Sequence, residues 1–269
     1  MTQPNKQMSQ APMLRCRPGV GAGTLCLIAY TAVFYGIAQF SGIAYQDWFA
    51  NANNALHSAF LPLIAGSALL LLFLGWSRWD ALWRDPFRLP TNRLHASLMI
   101  LFVATILLRL VYIQWAAVPT DLLMVVAGVG LGVGFAEEMA LRGIFLRGMR
   151  TYSRSEGQAV LWTCVAFGLL HIPNIFLGVG MLGLGQLVLA ALTGFVLYLF
   201  RRRFAWIVPA MIAHGAWDIS VFLSKDYLPE AIATASLVLT GVIQVLALVA
   251  LVVFVRSESK PIILKGTVL

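Results

Sequence analysis

Charge is the scarcest property of this chain. Only 11% of its 269 residues are Asp, Glu, Lys or Arg, against about 25% in soluble domains. Together with a hydrophobic content of 60% and a mean hydropathy of +0.83, this excludes a soluble globular protein and leaves little length for a separate soluble domain. Cysteine is nearly as rare. Cys16, Cys26 and Cys164 show neither metal-ligand nor disulfide spacing, which excludes a disulfide framework. The start of the chain has no cleavable-signal pattern: its first apolar run follows a polar stretch of about 18 residues and is long enough to span a bilayer. A net charge of +8 is no argument for a nucleic-acid partner, because basic residues are what orient membrane helices.

What remains is a run of apolar segments near the roughly 20 residues that a bilayer requires. The expected spans are about Val20 to Ile43, Ala55 to Trp76, Leu94 to Ala116, Leu122 to Tyr152, Gln158 to His171, Leu184 to Phe200, Ala205 to Leu223 and Ala231 to Val255. The expected fold is an all-α membrane protein of about eight transmembrane helices. Residues 1–18 form a polar basic tail, 19–256 a single polytopic membrane domain and 257–269 a C-terminal tail. With the N-terminus inside, 17 of the 19 lysines and arginines fall on inside segments, leaving Lys225 in an outside loop and Arg109 within the third span. That asymmetry predicts cytoplasmic termini. Trp48, Trp76, Trp115, Trp206 and Trp217 read as interface-belt aromatics, and His57 and His95, at span starts, carry no functional reading.

Gly128, Gly130, Gly132 and Gly134 form two interleaved Gly-xxx-Gly pairs in the fourth span. They fit close backbone contact with neighbouring helices and equally a broken start to that helix. Gly178, Gly180, Gly183 and Gly185 leave the same choice between the fifth and sixth spans.

Against this background, six polar residues stand out: Glu137, Glu138, Arg142, His171, His214 and Asp218. An ionisable group at mid-membrane costs about 2.5–3.5 kcal/mol on insertion scales, and such residues are functional candidates. Glu138 and Arg142 are four apart on one helix and can pair, which turns Glu137, about 100° around the helix, toward other partners. Phe167 and His171 share the spacing, and so do His214 and Asp218, where a carboxylate can orient an imidazole. Each reading has a structural rival: an ion pair for Glu138 and Arg142, a helix-end histidine for His171, a packing contact for His214 and Asp218. Three helices each with one polar face pack most simply with those faces together. A carboxylate and a histidine can deprotonate water, and a second histidine with a carboxylate can stabilise an oxyanion or protonate a leaving amine. The same His171, His214, Asp218 and Glu137 could instead hold a zinc ion with water in the open position. Both routes lead to amide hydrolysis. Hydropathy places Glu137 toward the inner end of its span and His171 toward the outer end of the next. Chemistry at one depth therefore requires the fourth helix to continue past Arg142 to about Tyr152.

The patterns Glu137-Glu138-xxx-Arg142, Phe167-xxx-His171 and His214-xxx-Asp218 together resemble the three motifs of the CPBP intramembrane proteases, also called the Abi or CAAX-protease family, which contains the type II CAAX prenyl endopeptidases. The resemblance covers about residues 120–222. It implies an intramembrane endopeptidase acting near the C-terminus of a membrane-associated or lipidated protein or peptide. Glu137, assisted by His171, would activate water. His214 and Asp218 would stabilise the intermediate, with Glu138, Arg142 and Phe167 in support. The family has been described both as metal-dependent and as metal-free, so the expected cofactor is none or Zn2+; Asp218, where the motif also admits Asn, is the better metal ligand of the two. The implied partners are a membrane-bound protein or peptide substrate and the lipid bilayer, with no nucleic acid. The expected location is a cell membrane, with the bacterial inner membrane favoured. The competing readings are a proton-coupled transporter, in which the same groups relay protons, and a non-catalytic immunity-type membrane protein.

Overall fold

The computed structural model describes residues 14–85, 88–90 and 92–258. The ends of both expected tails, with Lys6, Lys260 and Lys265, lie outside the described residues, as does Pro86 in the second loop. The described residues form an all-helical bundle with no strand; one isolated antiparallel bridge joins Arg84 to Trp206. Eight rods follow in order: α1 (Val20–Phe40), α2 (Ala52–Ser77), α3 (Arg93–Tyr112), α4 (Thr120–Tyr152), α5 (Glu156–Leu170), α6 (Gly183–Phe204), α7 (Val208–Tyr227) and α8 (Glu230–Ser257). Six are long and apolar enough to cross a membrane: α1, α2, α3, α4, α8 and the stretch Ile175–Phe204 that includes α6. The chain is a multi-pass membrane protein.

Helix boundaries follow local chemistry. Asn51, Asn92 and Ser155 cap α2, α3 and α5 by accepting a backbone N–H from Asn54, Leu94 and Gln158, satisfying donors that a helix start leaves free. Proline stands just before α4 (Pro119) and α8 (Pro229), where a missing N–H costs nothing. The third span ends at Tyr112, short of the expected Ala116, because the backbone turns extended at Ile113 and makes a short 3-10 turn over Trp115–Ala117. Arg201, Arg202 and Arg203 form the last turn of α6 and do not follow it.

The α4 helix is the axis of the bundle. Every residue from 136 to 150 is buried, whereas the other candidate spans turn much of their surface outward. Its 33 residues extend about 50 Å at 1.5 Å per residue, well beyond a hydrocarbon core of about 30 Å. Its length therefore exceeds such a layer, with Arg147 and Arg150 in its C-terminal turns and Glu137 near the middle of the helix. The glycines are continuous α-helix and settle the choice left by the sequence. Gly130 and Gly134 lie on the backbone of α7, where a methyl on Gly134 would overlap the Met211 carbonyl oxygen and one on Gly130 would meet Ile219 and the Gly215 carbonyl. Gly128 and Gly132 lie against Phe60 and Leu63 of α2. The two interleaved pairs thus serve two different neighbours, which fits the close approach that small residues permit between membrane helices.

The irregularity comes after the glycines. Met139–Phe145 forms a π-helical turn, in which the Leu146 N–H reaches back five residues to the Leu141 carbonyl. Arg201 of α6 donates to the carbonyl of Arg142 within that turn. Arg201 also donates to Asp85 Oδ2 at 2.7 Å and to the Ala81 carbonyl at 3.0 Å. Asp85 further receives Arg150 of α4, and Asp80 receives Arg147 at 2.9 Å. The loop between α2 and α3 is thereby clamped to one end of α4 and α6. Burial alone would raise the Asp85 carboxyl, but Arg201 and then Arg150 outweigh it and hold its pKa at about 2.

Two aromatic expectations change. Trp48 is only 4% exposed and donates to the Ile43 carbonyl, so it is an interior residue. Trp217 stacks on Phe102 at 4.4 Å between ring centroids and takes the Arg109 guanidinium over its ring at 4.5 Å. This gives a place to the buried Arg109, which also donates to Thr240 Oγ1 at 2.7 Å.

Candidate active site

The α4, α5 and α7 helices bring the singled-out residues into one buried region. The centre is His214, on α7 directly across the Gly134 contact from α4. Its Nδ1 donates to Glu138 Oε1 at 2.9 Å. Its Nε2 stands 3.9 Å from Glu137 Oε2 and 3.8 Å from Asp218 Oδ2. The imidazole thus has carboxylates on both sides, and the one bonded to it is Glu138. Sequence spacing pairs it with Asp218; that contact exists, at longer range.

Glu138 is fully buried and bridges two groups through one oxygen, since Arg142 Nη1 also donates to Oε1 at 2.8 Å. The second Arg142 nitrogen, Nη2, donates to the Gly194 carbonyl of α6 at 2.9 Å, and the guanidinium lies 4.4 Å over the Phe167 ring. A cation over an aromatic face in a water-poor setting is stabilised by about 2 kcal/mol. Phe167 also meets both histidines edge-on, with centroids 5.2 Å from His171 and 5.6 Å from His214. It is the apolar wedge that spaces the two imidazoles.

His171 caps α5. Its backbone turns out of the helix, and its Nδ1 lies 2.9 Å from the Phe167 carbonyl. A carbonyl can only accept, so Nδ1 carries the proton and Nε2 presents a free lone pair. His171 and Glu137 line the same cavity, of about 60 Å³, with Asn174 and an aromatic wall that includes Tyr35, Tyr45 and Trp48. The long α4 thus places Glu137 level with the end of α5.

Among the described residues no three His, Cys, Asp or Glu side chains are grouped so as to hold a metal. His214, the residue nearest to the other candidate ligands, has its Nδ1 on Glu138 and its Nε2 3.8–3.9 Å from two carboxylates. As placed, these side chains do not form a three-ligand zinc site.

Several polar residues of this region carry no motif. Asn174, 1% exposed, donates through Nδ2 to Gln186 Oε1 at 3.1 Å, and Gln186 donates to the Tyr45 hydroxyl at 3.1 Å. The only local signal for Asn174 is its position three residues after His171. Gly194 contributes a carbonyl, which no side-chain pattern can announce.

Residues 118–220 match the family described as Type II CAAX prenyl endopeptidase Rce1-like. The matched stretch holds Glu137, Glu138, Arg142, Phe167, His171, His214 and Asp218. No curated protein and no solved structure matches the chain.

Proposed function

We propose, from the premise that residues 118–220 form an Rce1-like domain, that this chain hydrolyses a peptide bond near the C-terminus of a membrane-associated or lipidated protein or peptide. At the level of the family the activity is that of a CAAX-type intramembrane endopeptidase. Glu137 is the base that takes a proton from water, with the free His171 Nε2 beside the same cavity to assist. His214, with Nδ1–H on Glu138, acts as an imidazolium whose Nε2–H donates to the developing oxyanion, next to Asp218. Glu138 and Arg142 are positioning residues: the carboxylate fixes the His214 ring through Nδ1, and the arginine fixes the carboxylate. One observation carries this reading. Glu137, Asp218 and Glu138 all lie within 4 Å of the His214 ring nitrogens, and Glu137 shares its cavity with His171.

The cell membrane of a bacterium, with both termini cytoplasmic, is the proposed setting. Support comes from the arginines Arg78, Arg84, Arg147, Arg150 and Arg201 to Arg203, which belong to one set of connected helix ends, while Lys225 bonds the Gln46 carbonyl at the other.

The test is cleavage of prenylated and unprenylated peptides by purified protein in detergent. Wild type should cleave. Glu137→Gln and His171→Ala should each reduce the rate by about 10²-fold or more. A chelator should leave the wild-type rate unchanged. Full activity in both variants would remove the proposed roles, and loss to a chelator restored by zinc would replace the metal-free mechanism. A folded wild type that cleaves nothing but moves protons across liposomes would favour transport.

A further inference from the structure

The side-chain carbonyl of Asn174 has no hydrogen-bond partner among the described residues, although the residue is 1% exposed. Buried carbonyls are rarely left without a donor. Asn174 sits in the turn that follows α5, its N–H bonded to the His171 carbonyl at 3.1 Å. It lines the cavity that Glu137 and His171 also line. Its amide is oriented by a relay: Nδ2 donates to Gln186, and Gln186 donates to the Tyr45 hydroxyl. With Nδ2 held on that side, Oδ1 is the end left over.

A cavity of about 60 Å³ has room for one or two waters, each of which occupies about 30 Å³ in the liquid and needs two to four polar partners. We infer that Asn174 is a further catalytic residue, whose Oδ1 accepts the hydrogen of the nucleophilic water that Glu137 does not take. This rests on the peptidase reading above. A water with one hydrogen on Glu137 and the other on Asn174 has its lone pairs fixed in direction, free to address the scissile carbonyl carbon. In the step, one water proton passes to Glu137 and the water oxygen bonds the carbonyl carbon. The carbonyl electron pair moves to oxygen, then returns as the carbon–nitrogen bond breaks. The leaving nitrogen takes up the proton held by Glu137, and the hydrogen on Asn174 stays with the new carboxyl group. An amide suits this position because it accepts without adding another negative charge beside Glu137, Glu138 and Asp218. Gln186 and Tyr45 become positioning residues.

The experiment uses the whole purified protein and the peptide that wild type cleaves, with Glu137→Gln as the inactive reference. Asn174→Leu removes the acceptor at near-constant size. Its kcat should fall about tenfold to a hundredfold, the range for one hydrogen bond to a developing charge, with KM within about twofold because the group meets water and not peptide. Asn174→Asp restores an acceptor and should exceed the Leu variant at a pH where the new carboxyl is ionised. A Leu variant with wild-type kcat, or Leu and Asp variants equally impaired, would overturn the inference while leaving the peptidase reading intact, since Glu137→Gln reports on that separately. A structure of the wild-type protein at water-resolving resolution gives a readout independent of turnover. A water bridging Glu137 and Asn174 Oδ1 supports the assignment, and a direct protein donor on Oδ1 removes it.

Discussion

Replacing Glu138 with Gln tests the core of the site with almost no change of shape. In the native protein one oxygen, Oε1, receives Arg142 at 2.8 Å and His214 at 2.9 Å, and both partners are buried. The amide removes the negative charge between them. Arg142 then retains the Gly194 carbonyl at 2.9 Å, the Phe167 face at 4.4 Å and an uncharged oxygen in place of the carboxylate. Breaking a buried ion pair from one side costs about 3–5 kcal/mol, and the surviving cation–aromatic contact, worth about 2 kcal/mol, with the amide oxygen as a neutral acceptor, puts this variant near 3 kcal/mol. The chemistry should suffer separately. The amide oxygen can still accept from both Arg142 and the His214 Nδ1–H, but without its charge both bonds weaken, so the ring is held less firmly, and a misplacement of this kind costs about 10²-fold in kcat. Both numbers are accessible: unfolding free energy in mixed micelles titrated with a denaturing detergent, and peptide cleavage in the same preparation. A Glu138→Gln protein within about 1 kcal/mol of wild type, cleaving within about threefold of its rate, would refute the bridge as the element that holds His214.

Two further predictions concern the scaffold. Gly134→Ala should lose most activity in a protein that still inserts, because its methyl meets the backbone oxygen of Met211 and forces α4 away from α7. Gly132→Ala, whose nearest neighbour is the Leu63 side chain at 3.4 Å, should be close to neutral in cleavage and thermal stability. Asp85→Asn should cost about 2 kcal/mol at neutral pH, from a carboxyl lowered from 3.8 to about 2. Because the folded value is depressed, that contribution is complete above the unfolded pKa of 3.8 and is lost as pH falls through about 2. Unfolding titrations of the two proteins should therefore differ by a constant amount above about pH 5 and converge only as pH falls to about 2 and below; a gap independent of pH would remove the ionic explanation.

The spans were legible because length and hydropathy alone specify a membrane helix, and the interruptions at Pro119, Pro229 and the arginine clusters punctuate them. The residues that meet around His214 were legible for a related reason: charge is so scarce here that each buried ionisable group is conspicuous. What the chain did not announce depends on registration between helices. Spacing within α7 offers Asp218 to His214, whereas the bonded partner is Glu138, brought alongside by the close contact of Gly134 with Met211. Asp85 reads as part of a solvated loop, and only the packed structure gathers Arg150 and Arg201 around it. Trp48 has the composition of a belt residue and the position of a cavity wall. Asn174 and Gln186 are ordinary polar residues until the turn after α5 brings the first beside Glu137.

The wide turn at Met139–Phe145 amounts to one residue more than an α-helix needs to cover the same rise. Losing one residue there would rewind the turn into ordinary α-helix with little rotation of what lies beyond, because the wide turn already absorbs the extra residue. Arg147 and Arg150 would keep facing Asp80 and Asp85, while the Arg142 carbonyl, which now receives Arg201, would be drawn back into the helix's own hydrogen bonds. Among homologous sequences, a one-residue gap in this stretch should accordingly be accompanied by loss of the arginine at the position of Arg201, with the reaction centre and the clamp beyond it both kept.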